Sequence, residues 1–322
     1  MTSVDIGPHY LGVMLGLAIG DALGAPVEFE SLSEILAHRG DPGVADFEPH
    51  RGLPPGSYTD DTQMSIATAR GTLDAHVAGA FGSTAEAAPR VWAAYQDWRE
   101  TQDDPHQRRA PGSTCLSALR SGVMGTPDIP LNNGKGCGTI MRIAPCALLY
   151  PDDPFDWALA CGAMTHSHPT GYFSGAAFAL ILHEVLNGKS LESAIEGARD
   201  RLQAQGFEAD ETRAVLETVL DQHRQDMPLH ERIINTGAKG EGWVAEETLG
   251  IALSCALVHP TDFSAAVLAA VNITGDSDST GSVTGALMGA LLGVDAIPRE
   301  WREQVENAAL LTQLANDLYR AN

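Results

Sequence analysis

The chain sets 42 acidic against 20 basic residues over 322 positions, a formal charge of −22. That balance leaves no basic face to neutralise the phosphates of a nucleic acid or to hold an anionic membrane, so both partner classes are excluded. Five cysteines, Cys115, Cys137, Cys146, Cys161 and Cys255, are odd in number and contain no CxxC pair, which argues against a disulfide framework.

The N-terminal stretch has neither the basic start nor the small-residue cleavage site of a secretory signal, and the apolar run from Tyr10 to Gly20 is closed by Asp21. The uncharged stretch Ser279 to Gly293 is shorter than the ~18–20 residues that span a bilayer. A cytoplasmic monomer is expected.

In chain order, apolar positions recur at helical spacing: Leu11, Leu15 and Ile19; Val91, Tyr95 and Trp98; Phe178, Leu182 and Val185; Val283, Leu287, Ala290 and Leu291. No period-2 series competes with them, so the expected class is all-α. Frequent Ala and Gly predict closely approaching helices rather than a bulky aliphatic core. The segments Arg39 to Thr59, Gln102 to Ser113, Met124 to Thr139 and Thr236 to Gly242 are polar, carry Pro or Gly and read as loops. With no repeat and no convincing linker, residues 1–322 are read as one domain, a division near residue 190 being the alternative.

Three acidic motifs punctuate this pattern. In Gly20-Asp21-Ala22-Leu23-Gly24-Ala25-Pro26-Val27-Glu28 a helix runs into a turn carrying two acids, which taken alone read as solvated loop acids. Tyr58-Thr59-Asp60-Asp61-Thr62 opens a helical run; it suits an N-cap, and its oxygens equally suit a hard divalent cation. Gly275-Asp276-Ser277-Asp278-Ser279-Thr280-Gly281 precedes a helix expected to begin near Ser282, with two carboxylates pointing the same way along an extended turn. An EF-hand is excluded there, because the twelfth position is Leu287 rather than a bidentate Glu. The two Asp pairs together supply enough oxygen for two cations, without which their repulsion would be severe. Zinc is disfavoured, since Thr165-His166-Ser167-His168 lacks a partnered His or Cys set.

A glycine-rich stretch, Asn132 to Arg142, stands before what reads as another apolar helical run. It matches neither a Walker A loop nor a dinucleotide fingerprint. Beside a cation site, its N–H groups would suit a diphosphate.

The ordered set GDALGAPVE, YTDDTQMS, NNGKGCGTIMRIAP, THSHPTGYFSGA and GDSDSTG resembles the ADP-ribosylglycohydrolase family, and the resemblance spans roughly residues 11–293. It implies a compact, single-domain, orthogonal all-α bundle with two Mg²⁺ or Mn²⁺ ions at the base of a cleft. The implied ligands are Thr59, Asp60, Asp61, Asp276, Asp278 and Ser279, with Asp278 bridging. Glu28 matches a glutamate near the metals that gates the cleft or assists proton transfer. Gly136, Gly138 and Met141 fall in the segment resembling the phosphate and ribose loop, and His166 falls where the distal ADP-ribose is contacted. Ala110 stands where some bacterial members carry an acid, so an acid/base role at that position does not transfer.

The implied activity is hydrolysis of mono-ADP-ribose from a modified protein side chain, with ADP-ribose released. The Asp-Ser-Asp-Ser spelling resembles the arginine-directed branch, and a cationic guanidinium would be drawn to an acidic cleft. Asp60 and Asp61 are assigned to metal and water, Asp276 and Asp278 to the second metal, and Glu28 to proton management. The rival is an inactive ADP-ribose-binding or structural member of the family, which broken ligands would betray; the expected ligands are all present.

Overall fold

The computed structural model describes residues 6–322, and its regular elements are helices. The first half contains α1 (Gly7–Gly24), α2 (Leu32–Arg39), α3 (Asp60–Val77), α4 (Thr84–Thr101), α5 (Ser113–Arg120), α6 (Pro154–Ala163) and α7 (Pro169–Leu186). The second contains α8 (Leu191–Gln203), α9 (Asp210–Arg224), α10 (Leu229–Ile234), α11 (Ala245–Val258), α12 (Phe263–Val271), α13 (Ser277–Leu292), α14 (Arg299–Gln304) and α15 (Ala308–Ala321). Among the described residues the extended pairings are isolated bridges, His50 with Leu53, Thr126 with Ile129 and Gly136 with Val244. No described helix is long and apolar enough to cross a membrane.

Helices α1 and α13 form the buried axis of the molecule. Each glycine inside a helix costs about 1 kcal/mol relative to alanine, so a run of them needs a packing reason. Here Gly12 faces Gly289, Gly16 faces Gly285, Gly20 faces Gly281 and Gly24 faces Ser277. The descending partner numbers make the pair antiparallel. A methyl group on any of these glycines would overlap the backbone of the facing helix. The small-residue content thus does what the composition predicted: it lets two backbones touch. One consequence is functional, because the seam sets the last turn of α1 beside the first turn of α13.

The remaining helices wrap this axis around a continuous apolar core from Tyr10 to Leu318. Gly71 of α3 packs on the backbone of Val91 in α4, and Thr68 Oγ1 lies 2.8 Å from the Tyr95 hydroxyl. Two local expectations need correction. Helix α13 begins at Ser277, not near Ser282, because Asp276 caps it by accepting from the Ser279 N–H. The run after the glycine-rich stretch is not an α-helix but two 3₁₀ turns, Ile140–Arg142 and Ala144–Ala147. Pro145 lacks the N–H that would continue a helix there.

Candidate active site

Three helix ends meet at one end of the α1–α13 seam. Asp21 in the last turns of α1 is fully buried and reaches across to the start of α3. It accepts from the Thr59 N–H at 2.9 Å, the Thr62 N–H at 3.0 Å and the Thr62 hydroxyl at 2.6 Å. Two acids in the GDALGAPVE turn read as solvated on sequence alone; the structure corrects this for both, since the Glu28 side chain is only 12% exposed. With Thr59 as its N-cap, α3 opens on Asp60 and Asp61, where carboxylates favour the positive end of the helix dipole. Asp60 also accepts from the Gly112 N–H at 3.3 Å. From the first turn of α13, Ser279 donates to Asp61 at 2.9 Å, and its N–H donates to Asp278 at 3.0 Å.

Burial and mutual repulsion dominate the electrostatics. Asp60, Asp61 and Asp276 are held well above the usual carboxylate range, first by burial and next by the charge of Asp278. The same two causes push Asp21 up to about 7 and Glu28 up to about 8, the latter against the pull of Arg51. Among the described residues, the one ion pair on these acids is Arg51 to Glu28 at 2.6 Å. A buried acid cluster with so little counter-charge, and with only oxygen donors, is chemically suited to hard divalent cations. No three His, Cys, Asp or Glu side chains among the described residues form a group already poised to hold a metal ion. The donors fit by chemistry and by sharing one cleft, while their side chains are engaged in hydrogen bonds with one another and with Ser279, Gly112 and Cys137.

The facing wall is built without acids. Residues 135–137 run alongside residues 243–245, with the Ala245 N–H donating to Lys135 O at 2.9 Å and the Cys137 N–H to Trp243 O at 3.2 Å. Asn132 ties this loop to residues 165–167 through bonds to Thr165 O, Gly134 N–H and Ser167 N–H. Behind it Arg142 is fully buried and donates to Tyr95 Oη, Gly138 O, Cys161 O and Thr165 Oγ1. Glycine suits position 138, because a methyl there would crowd the His166 ring and the Cys115 sulfur. Among the described residues neither the Gly136 nor the Gly138 N–H has a hydrogen-bond partner. Helix α5 also opens here with no side-chain cap, and Gly112, Ser113, Thr114 and Cys115 at its start line the same space.

Between floor and wall lies a cleft of about 430 Å³. Glu28, Asp60, Asp61, Gly136, Gly138, Met141, His166, Asp276, Asp278 and Ser279 all line it. Thr59 stands just behind, its hydroxyl accepting from the Asp61 N–H at 3.3 Å. His166 is buried, its Nδ1 lies 2.9 Å from Thr165 Oγ1, and burial with the nearby Arg142 charge pushes its pKa down to about 3. At the mouth Phe29 stacks on Trp243 with ring centroids 5.0 Å apart. Ala110 lines the mouth with φ +57°. A larger groove, about 650 Å³, opens elsewhere between Leu229, Ile233 and Leu268, but its walls are mainly apolar and it holds none of these acids.

Sequence reasoning missed four parts of this constellation: Asp21, Arg142, Trp243 and the start of α5. The Pro111-Gly112-Ser113-Thr114 spelling was a signal for the last, being a turn followed by small hydroxyl residues at a helix start. The others depend on partners distant in sequence.

Comparisons with known proteins bear on the family and the fold. A sequence model of the ADP-ribosylglycohydrolase family matches residues 3–322. The ADP-ribosyl-[dinitrogen reductase] glycohydrolase of Rhodospirillum rubrum is 29% identical over 316 residues, covering 95% of this chain and 93% of that protein. The ADP-ribosylarginine hydrolase Tri1 of Pseudomonas putida is 28% identical over 320 residues, 96% of this chain and 77% of its own length. A solved structure described as an ADP-ribosylglycohydrolase-related protein complex superposes with a TM-score of 0.73 at 28% identity, covering 98% of this chain and 99% of that one.

Proposed function

The chain belongs to the ADP-ribosylglycohydrolase family, and from that premise we propose that it hydrolyses the N-glycosidic bond joining ADP-ribose to a modified arginine, releasing ADP-ribose. The observation that carries this reading is the asymmetry of the cleft, an acid floor opposed by a wall of unpartnered N–H groups. Thr59, Asp60, Asp61, Asp276, Asp278 and Ser279 would hold two Mg²⁺ or Mn²⁺ ions, which when bound supply positive charge at the ribose hydroxyls and lower the pKa of a water.

The wall would take the diphosphate. Gly136 and Gly138 and the start of α5 offer backbone donors without a positive side chain, the arrangement helix ends and glycine turns use for phosphates. His166, held neutral, packs beside Gly136 and Gly138 and would bound the distal part of the ligand. In the reaction the bond from the anomeric carbon to the arginine nitrogen breaks and its electron pair leaves with the nitrogen. A water oxygen bonds to the carbon, and the proton it loses passes to the departing guanidine; Glu28 is the buried carboxyl beside the floor suited to carry it. The acidic chain, the Asp-Ser-Asp-Ser spelling and the arginine-hydrolase relative support arginine as the linkage.

A panel of arginine-, serine- and glutamate-modified carriers, incubated with Mg²⁺ or Mn²⁺ and read by mass spectrometry, tests the reading. Release of ADP-ribose from arginine, lost in EDTA and restored by metal, is the expected result. Release from serine alone would overturn the linkage, and full activity after exhaustive chelation would overturn the metal assignment.

A further inference from the structure

Two residues, Phe29 at the cleft mouth and Arg51 beside it, sit in backbone conformations that side chains with a Cβ rarely adopt. Phe29 has φ +76° and Arg51 has φ +48°. Arg51 and Gly52, at φ +79°, are the central pair of a tight turn closed by the His50–Leu53 bridge. Gly, Asn or Asp would occupy the first central place at less strain. Such strain is retained where the surrounding structure uses the direction it gives the side chain.

That direction is the acid beside the cleft. Arg51 Nη2 donates to Glu28 Oε2 at 2.6 Å, and its guanidinium carbon lies 6.0 Å from the Phe29 ring centroid. Phe29 is 66% exposed, unusual for so large an apolar side chain, and its ring is backed by Trp243. A planar guanidinium is therefore already bracketed by a carboxyl and an aromatic face at the mouth of the cleft.

We propose that Glu28 and Phe29 form the seat for the guanidinium of the modified arginine, and that Arg51 is a built-in placeholder which the substrate side chain displaces. This rests on the arginine linkage proposed above. The physical reason for a placeholder is the cost of an unpartnered polar group. A buried carboxyl oxygen that loses its donor is left unsatisfied, whereas exchanging one guanidinium for another keeps that oxygen accepting throughout. Arg51 suits that exchange. Its side chain is 37% exposed and Glu28 is its one hydrogen-bond partner among the described residues, so its departure into solvent breaks no other hydrogen bond and gives up only the contact with the Phe29 ring that the incoming guanidinium would replace. Phe29 and Trp243 add a flat surface that prefers a delocalised cation to a hydroxyl or carboxylate leaving group. The seat thus assigns linkage selectivity to the mouth, while the floor performs the bond cleavage.

Calorimetric titration of L-arginine into the full-length protein with Mg²⁺ tests the seat without needing turnover, and L-citrulline serves as the uncharged isostere. Arginine should bind weakly and citrulline still more weakly. Arg51→Gln, which removes the competitor, should tighten arginine binding by about fivefold, and Phe29→Leu should weaken it by about fivefold. Arg51→Lys should resemble the unaltered protein more than Arg51→Gln does. Both altered positions are partly exposed, and circular dichroism checks that the variants are folded. Equal binding of arginine and citrulline, or unchanged arginine affinity in Arg51→Gln, would overturn the seat. Absent hydrolysis of ADP-ribosyl-arginine together with the expected arginine titrations would instead overturn the hydrolase reading and leave the seat standing.

Discussion

The floor and the wall of the cleft are held by opposite means. On the floor, Asp21, Asp60, Asp61, Asp276 and Asp278 are brought together by the backbone of three helix ends, and burial with the charge of Asp278 opposes the ionisation of Asp21, Asp60, Asp61 and Asp276. On the wall, an almost charge-free loop is held by converging hydrogen bonds, chiefly from Asn132 and the buried Arg142. The floor stores repulsion on a rigid frame, and the wall stores almost none on a hydrogen-bonded one. Substitutions should therefore separate stability from function on the floor and damage both together on the wall.

The frame should matter most. Gly16→Val sets a branched side chain into the Gly285 backbone, where neither helix can yield. A loss of about 4 kcal/mol or more is expected, seen as insoluble protein or a collapsed thermal transition. A normal melting curve would show that the α1–α13 seam opens without cost and would remove the rigid frame from the comparison.

Next comes Asp61→Asn. The amide still accepts from Ser279 but removes one charge from the repelling set. Turnover should fall on the order of a hundredfold or more. In chelated buffer the same variant should melt higher, by the equivalent of roughly 1–2 kcal/mol, because a buried charge has been relieved. Undiminished turnover would reduce Asp61 to a helix-terminal acid. A lower melting temperature in chelated buffer would contradict stored repulsion.

How far the site could be read from sequence follows the same division. Asp60-Asp61 and Asp276-x-Asp278 were visible because neighbours in space are neighbours in the chain. The start of α13 was misplaced because an Asp, Ser, Thr and Gly run has loop composition; burial against the glycines of α1 is what makes it helical. Asp21 was hidden because its donors, Thr59 and Thr62, lie about forty residues away in the chain. Arg142 read as one basic residue within a motif, and nothing local announces that Gly138, Cys161 and Thr165 will supply its acceptors.

On the wall, Arg142→Met preserves bulk while orphaning several buried acceptors. It should cost about 3 kcal/mol and also weaken ADP-ribose binding, since the Gly138 carbonyl loses its anchor. Thermal melting and ADP-ribose titration read the two effects. Loss of stability with unchanged ADP-ribose affinity would uncouple the wall from ligand binding and blur the contrast with the floor.

The smallest expected effect distinguishes the two regions by the sign of their pH dependence. His166 is pushed down to about 3 by burial and by Arg142, below its ordinary value of 6.5. Between those values the unfolded chain binds a proton that the folded chain refuses, so this residue makes stability fall as pH drops below 6.5. Over pH 7 to 5 the loss is at most roughly 2 kcal/mol. The floor runs the other way: Asp21 and Glu28, raised to about 7 and 8, hold protons in the folded state, so their contribution weakens as pH rises. The unaltered protein reports the sum, and comparison with His166→Gln isolates the wall. In chelated buffer, the difference in unfolding free energy between the two proteins should narrow as pH falls from 7 to 5, because the glutamine does not titrate. A difference independent of pH would show that His166 takes up its proton as easily folded as unfolded, and the neutral state assigned to this ring on the wall would then fail.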